Sequence, residues 1–288
     1  MFSLNRVHLI GYQTQPILVR QTPSGTSVTD MNLVTPYRFK GENGQWIEGK
    51  NFHTVTVWSA MADVVRQFVR PGSQLFISGR LQTDTWEDTK SNEKRSKTKI
   101  VAMDLIMLDP KDGQRELKSG ESTTSGLNQA FVIGNVTRDP EMRTTPSGQH
   151  VLTLGVATND RWKERNTGES RERTEFHNVV VWGALAEQAQ VTMKKGQRVY
   201  ATGRVQTRSF ETQAGVKRYT TEIIAESVVP LGVKDPSIQE FIQTDSVKHS
   251  EANSAGETSP PSDQDLVGVG AIPAIDYTSE IKVEDLPF

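Results

Sequence analysis

The chain contains no cysteine, which removes disulfides, thiol nucleophiles and cysteine-ligated zinc together, and with them several enzyme classes and the zinc-based readers of nucleic acid. No run of residues approaches the roughly 18 to 20 apolar positions that a membrane-crossing helix needs. Met1 to Gly11 lacks the charged start, long apolar stretch and small-residue cleavage site of a secretory signal, so the expected location is the cytoplasm. Apolar residues make up only 35% of the 288 positions, below an ordinary globular composition, and part of the chain is therefore expected not to fold. Catalytic signatures are also missing. There is no Walker loop, no HExxH, no GxSxG and no carboxylate cluster with metal spacing at matched positions, so the expectation is a protein that is not an enzyme and needs no cofactor or metal.

What is present is unevenly spread. Residues 233–288 hold 3 basic and 11 acidic residues, a net charge of −8, whereas residues 1–232 hold 30 basic and 24 acidic, or +6. A moderately basic body thus carries an acidic tail, a pattern that hints at nucleic-acid binding by the body but also falls within the range of ordinary enzymes. The tail is rich in Ser, Pro, Gly, Asp and Glu without periodicity, and residues 233–288 are expected to be disordered.

Internal repetition decides the architecture. Leu4-Asn5 and Ile10-Gly11 return as Leu127-Asn128 and Ile133-Gly134, and Thr22-Pro23-Ser24-Gly25 returns as Thr145-Pro146-Ser147-Gly148, all at an offset of 123. Phe52-His53 and Trp58 return as Phe176-His177 and Trp182, and Gly79-Arg80 as Gly203-Arg204, at an offset of 124. Four blocks in one order mean two copies of a domain, expected over 1–109 and 127–232 with a linker at 110–126.

Short alternating runs dominate each copy: Val7 to Gly11, Val28 to Thr35 and Val151 to Thr158 read as half-buried strands, and Val179-Val180-Val181 as a strand covered on both faces. The Thr-Pro-Ser-Gly blocks supply tight reversals between the first and second strands. One helix per copy fits, over Ala60 to Phe68 with Met61, Val64, Val65 and Phe68 on one side, and over Ala184 to Met193. Three strands, a helix and two more strands is the order of the five-stranded OB barrel, so an all-β chain of two tandem OB domains is expected.

A surface that holds a single strand of nucleic acid needs aromatic faces for base stacking and cations along the backbone path. Aromatics recur at matched places: Phe39, Phe52, Trp58 and Trp86 against Trp162, Phe176, Trp182 and Phe210. Polar neighbours surround Trp86, Trp162 and Phe210. An aromatic on a strand can equally fill a barrel interior, and this alternative weighs most on Trp58 and Trp182, each at the end of an apolar strand. His53 and His177 either meet the strand or are simply hydrogen-bonded in place. Cations gather near the aromatics, with Lys94, Arg95 and Lys97 following Trp86, Arg161, Lys163, Arg165 and Arg173 around Trp162, and Arg208 beside Phe210. Carboxylates share these loops, as they would in any solvated loop of mixed charge. RNA in place of DNA, or a protein scaffold with silent OB surfaces, remains compatible with these residues.

The second copy resembles the bacterial single-stranded-DNA-binding protein family over nearly all its length, through Ile133-Gly134-Asn135-Val136-Thr137-Arg138-Asp139-Pro140-Glu141, Arg143, Glu175-Phe176-His177-Asn178-Val179, Lys195-Gly196 and Gly203-Arg204. The resemblance implies that Trp162, Phe176, Trp182 and Phe210 stack on bases, with His177 beside Phe176. In the first copy Gly11-Tyr12-Gln13-Thr14-Gln15-Pro16 lacks the Arg-Asp-Pro-Glu run, although Phe52-His53, Trp58 and Trp86 keep the aromatic places. Glu284, Asp285, Leu286, Pro287 and Phe288 resemble the acidic, Pro-Phe tip by which the family recruits replication, recombination and repair proteins. An apolar Phe288 with Asp285 beside it suits a pocket flanked by Arg or Lys. By analogy with members that have one OB domain, the resemblance also implies a homodimer presenting four domains, a nucleoid-associated place in the cytoplasm, and binding of single-stranded DNA without sequence preference.

Overall fold

Strands polar on one side and apolar on the other must bury the apolar side, and each copy does so by curling its sheet around a core. A computed structural model describes residues 2–40, 44–88, 93–109, 126–164, 168–211 and 217–232, without the side chains of Phe39, Lys40, Asp88, Glu93, Lys94, Phe210 and Lys217. Residues 110–125 of the expected linker (110–126), the tail (233–288), Arg165 and the tip Glu284 to Phe288 lie outside the described residues.

The first copy runs β1 (Leu4–Gln13), β2 (Arg20–Gln21), β3 (Ser27–Lys40), β4 (Trp46–Trp58), α1 (Ser59–Phe68), β5 (Gln74–Asp88) and β6 (Glu93–Met107). The second repeats it as β7 (Leu127–Val136), β8 (Met142–Thr144), β9 (His150–Lys163), β10 (Ser170–Trp182), α2 (Gly183–Thr192), β11 (Arg198–Glu211) and β12 (Lys217–Leu231). In the first copy β1 pairs with β5, β5 with β6, β6 with β4, β4 with β3, and β3 closes back on β1 through Tyr12↔Val34 and Gln13↔Leu33. The second closes likewise through Asn135↔Ala157 and Val136↔Val156. Each copy is a five-stranded OB barrel.

One detail departs from the sequence reading. The Thr-Pro-Ser-Gly turns do not join the first two long strands; they follow the short added strands β2 and β8 and lead into β3 and β9. Their glycines take positive φ, 81° at Gly25 and 82° at Gly148, and donate to the carbonyls of Thr22 and Thr145. The helices stand where periodicity puts them, but α1 buries Ala62 and Val65 while Val64 and Phe68 remain exposed. A ten-residue helix lying across a barrel end covers a narrow stripe, and small residues let it approach; α2 buries Ala186 and Ala189 in the same way. Val179, Val180 and Val181 are all buried, as the unbroken apolar run predicts.

The repeated Leu-Asn block has a structural reason. The Asn5 side chain donates to the Leu81 carbonyl at 2.8 Å and accepts from the Leu81 N–H at 3.0 Å, and Asn128 does the same with Val205. Each asparagine thereby satisfies backbone groups that face β1 or β7 beyond the last paired residues, Val7↔Gly79 and Gly203↔Ala130; on the other edge of β5 and β11 a bulge leaves Met103 of β6 and Glu226 of β12 without a ladder partner. A Cβ on Gly79 or Gly203 would strike the backbone carbonyl of Val101 or Ile224, which explains the glycines in that repeated block.

The two barrels meet along an antiparallel ladder between β1 and β7, from Leu4↔Ile133 to Ile10↔Leu127. Val7 pairs with Ala130, its own counterpart at the offset of 123, so the copies stand back to back about a local two-fold axis at that pair. One compact unit, Met1–Val233, contains both. Off the axis the junction is asymmetric. The buried Glu175 accepts the Thr83 N–H at 2.9 Å and is paired with Arg173 at 2.6 Å, and Arg173 also reaches Asp84 at 4.0 Å. A second pair is inverted between copies: Asp84 and Lys99 bridge β5 and β6, and at the matching places Arg208 and Glu222 bridge β11 and β12 with the charges exchanged.

Candidate nucleic-acid interface

Alternation along β4 and β10 sorts the neighbouring aromatic and histidine residues onto opposite faces. Phe52 and Trp58, six residues apart, point outward, as do Phe176 and Trp182; these four are between 40% and 68% exposed. Six strand residues span about 20 Å, so each barrel offers two aromatic faces along the outer face of one strand with room between them for several nucleotides. Trp58 and Trp182 thus lie on the surface, at the entry to α1 and α2, and the core alternative does not hold for them.

His53 and His177 face the other way. They are 4% and 5% exposed, and their Nε2 atoms are hydrogen-bonded at 2.9 Å to the Thr35 and Thr158 hydroxyls. Burial lowers the pKa of each to about 4, because an imidazolium inside the barrel would lose its hydration. The expectation that they meet the bound strand is corrected: both are neutral members of the core, and their place in the repeat reflects packing.

Beyond the barrels the hairpins continue as ribbons. Trp86 on β5 is half exposed, with Arg95 directly across from it and Lys97 across from Asp84. Trp162 on β9 is also half exposed and faces Arg171 across the ladder. By that register Trp162 lies on the opposite side of the β9–β10 ribbon from Phe176, so the two do not share one flat platform. Phe39 and Phe210 sit on the matching backbone places, opposite Ile47 and Arg218; their side chains, and that of Lys94, lie outside the described residues.

The cations differ in how firmly they are held. Arg161 pairs with Glu172 at 3.2 Å, and Arg171 with Glu164 at 2.9 Å, on well-exposed surface. Exposed pairs are worth about 0 to 1 kcal/mol, so a phosphate can displace the carboxylate at little cost. Lys163, Arg95 and Lys97 are exposed. Arg173 is different: its bond to the buried Glu175 commits it to the junction between the copies, and the structure places it there in preference to an open strand path. Arg208 is gripped by both oxygens of Glu222 at 2.9 Å, a pairing that raises its pKa.

A groove of about 1220 Å³ runs over the outer face of the second barrel. Trp182, Val180 and Asn178 form part of its floor, and Arg138, Arg143, Arg204 and Arg208 line it along with Glu141 and Glu222. Among the described residues no ion pair engages Arg138, Arg143 or Arg204. These three were missed as site residues from sequence. The signal was there, since Arg204 belongs to the repeated Gly-Arg block and Arg138 and Arg143 to the family-like run. Tyr219 and Trp46, both well exposed, were also missed, because neither has an aromatic counterpart in the other copy. The described residues hold no cluster of three or more His, Asp or Glu suited to a metal ion, and no helix among them is long and apolar enough to cross a membrane.

The single-strand binding protein family model matches the chain twice, over residues 4–108 and 127–231. A single-stranded DNA-binding protein of Thermus aquaticus is 34% identical over 228 residues, covering 77% of this chain and 83% of the relative. One from Thermus thermophilus is 35% identical over 228 residues, covering 77% and 82%. The crystal structure of the wild-type single-stranded DNA binding protein from Thermus aquaticus superposes with a TM-score of 0.63 at 29% identity, covering 82% of this chain and 96% of that one. Two family matches, each spanning one barrel with its outward aromatic pair, establish the lineage: the chain belongs to the single-strand binding protein family, whose members are binding proteins and not enzymes.

Proposed function

We propose that the protein binds single-stranded DNA without sequence preference, protects it during replication, recombination and repair, and recruits partner proteins through residues 284–288. The observation that carries this reading is the outward aromatic pair repeated on both barrels, Phe52 with Trp58 and Phe176 with Trp182; on the second copy the β9–β10 ribbon adds Arg161 and Arg171, held only by weak surface pairs. Bases in a single strand expose their faces to such rings, whereas bases in a duplex are already stacked on each other. Phosphate neutralisation by Arg and Lys supplies affinity that depends on salt. The domains of this reading are 1–109 and 127–232, joined by 110–126 and followed by an acidic tail from 233.

The test is a titration of tryptophan fluorescence with oligo-dT and with a duplex of equal length, at low and moderate salt. Strong quenching by the single strand alone, weakened by salt, is the expected result; no response to the single strand refutes the proposal. Recruitment has its own test. A chain lacking residues 284–288 is expected to keep its oligo-dT affinity within about twofold and to lose association with replication and repair proteins; association that survives the deletion refutes that role for the tip. A homodimer with four barrels, in the nucleoid-associated cytoplasm, belongs to the same reading. It is supported by the half-exposed Met103, Ile106, Met107 and Leu108 at the end of the first barrel, apolar surface that a second copy could cover.

A further inference from the structure

The β4 strand of the first barrel carries a third outward aromatic that the second barrel lacks. Trp46 begins β4, six residues before Phe52 and twelve before Trp58, and alternation places all three on one face. It is 58% exposed. At the offset of 124 that relates Phe52 to Phe176, its counterpart is Ser170. The guanidinium of Arg38, from the neighbouring strand β3, lies over the indole at 4.2 Å from the ring centre, and Glu48 holds Arg38 through an exposed pair at 3.7 Å.

An indole in water with a cation on it contributes little to stability alone. The ring covers no core, and the Arg38–Glu48 pair is too exposed to contribute much. The same arrangement suits a nucleotide: the π-face stacks on a base, and the adjacent guanidinium meets a flanking phosphate once Glu48 releases it.

We propose that Trp46 and Arg38 form an additional nucleotide subsite, present only on the first barrel, which extends the path over Trp58 and Phe52 outward along β4. The inference rests on the single-strand reading and lengthens the path in one barrel only. The two copies are then unequal by design: the first has lost the Arg-Asp-Pro-Glu run of the second and gains contact at the far end of its ribbon.

The experiment is oligo-dT titration of the full chain, of Trp46→Ala, of Trp46→Phe and of Arg38→Ala, following affinity, quench amplitude and salt dependence. Trp46→Ala is expected to weaken binding at least about fivefold, the low end of one stacked base. Trp46→Phe keeps a ring, so affinity should stay within about twofold of the unaltered chain while the quench amplitude drops. Arg38→Ala should make the plot of log affinity against log salt shallower by about 0.7, the share of one phosphate contact on a single strand. Unchanged affinity and unchanged quenching in Trp46→Ala, in a chain that still binds oligo-dT, overturns the subsite and leaves the broader reading intact. Failure of the unaltered chain to bind oligo-dT overturns both.

Discussion

A chain carrying Phe176→Ala together with Trp182→Ala is expected to bind oligo-dT at least about 30-fold more weakly than the unaltered protein, since each stacked base contributes about 1 to 3 kcal/mol. Both rings stand on the outer face of β10 and neither belongs to the core cluster, so the loss falls on binding before folding. Trp182 also abuts the start of α2. A companion variant, Phe176→Ala with Trp182→Phe, therefore keeps a ring there and is expected to recover a large part of the affinity. The matched pair Phe52→Ala with Trp58→Ala reports the share of the first barrel. Its effect is expected to be smaller if Trp46 holds part of the strand on that side. Affinity within about threefold of the unaltered chain in both double variants would mean that the outward rings are not the stacking surface.

Acidification is expected to destabilise both barrels between about pH 6.5 and pH 4. His53 and His177 have pKa values lowered by burial to about 4, whereas an unfolded histidine titrates near 6.5. Above about pH 6.5 both states are neutral and the full stability is present; as pH falls, the unfolded chain takes up protons that the folded one refuses, and stability is lost until the folded-state value is reached. The loss approaches about 2 to 3 kcal/mol per histidine by pH 4.5, a large part of a small domain's stability. Urea unfolding at pH 7.5 and pH 4.5 checks this. His53→Gln with His177→Gln lowers stability at neutral pH but is expected to flatten the pH dependence, because glutamine can still bond to Thr35 or Thr158 and does not titrate. A pH dependence as steep in that variant as in the unaltered chain would assign the effect to other groups. Since Phe52 and Phe176 are the immediate neighbours of these histidines, strand binding should weaken with the same acid transition.

Much of the architecture was legible from the repeat. Four blocks in one order specify two copies, and the alternation of Val7 to Gly11 and Val151 to Thr158 requires half-buried strands whatever surrounds them. Even the meaning of Gly79-Arg80 and Gly203-Arg204 was partly accessible, since a glycine in a strand marks a bulge or a close approach. Repetition served less well for individual roles. It shows that a residue matters in both copies without saying whether for packing or for binding, and His53 and Trp58 recur equally although one fills the core and the other faces water.

Parity along a strand separates neighbours with certainty, but which parity faces inward depends on the strands that pair with it. The sequence by itself therefore determined the count of domains, the OB order of strands and helix, and the set of aromatic positions among which a binding surface had to lie. Only the tertiary structure decided the rest. It turned Phe52 and Phe176 outward and their histidine neighbours inward, drew Arg173 into the junction through Glu175, set Val7 against Ala130 on a local two-fold axis, and brought Arg138, Arg143 and Arg204 from separate segments into one groove. Those outcomes depend on register and closure, which are settled by contacts between residues far apart in the chain.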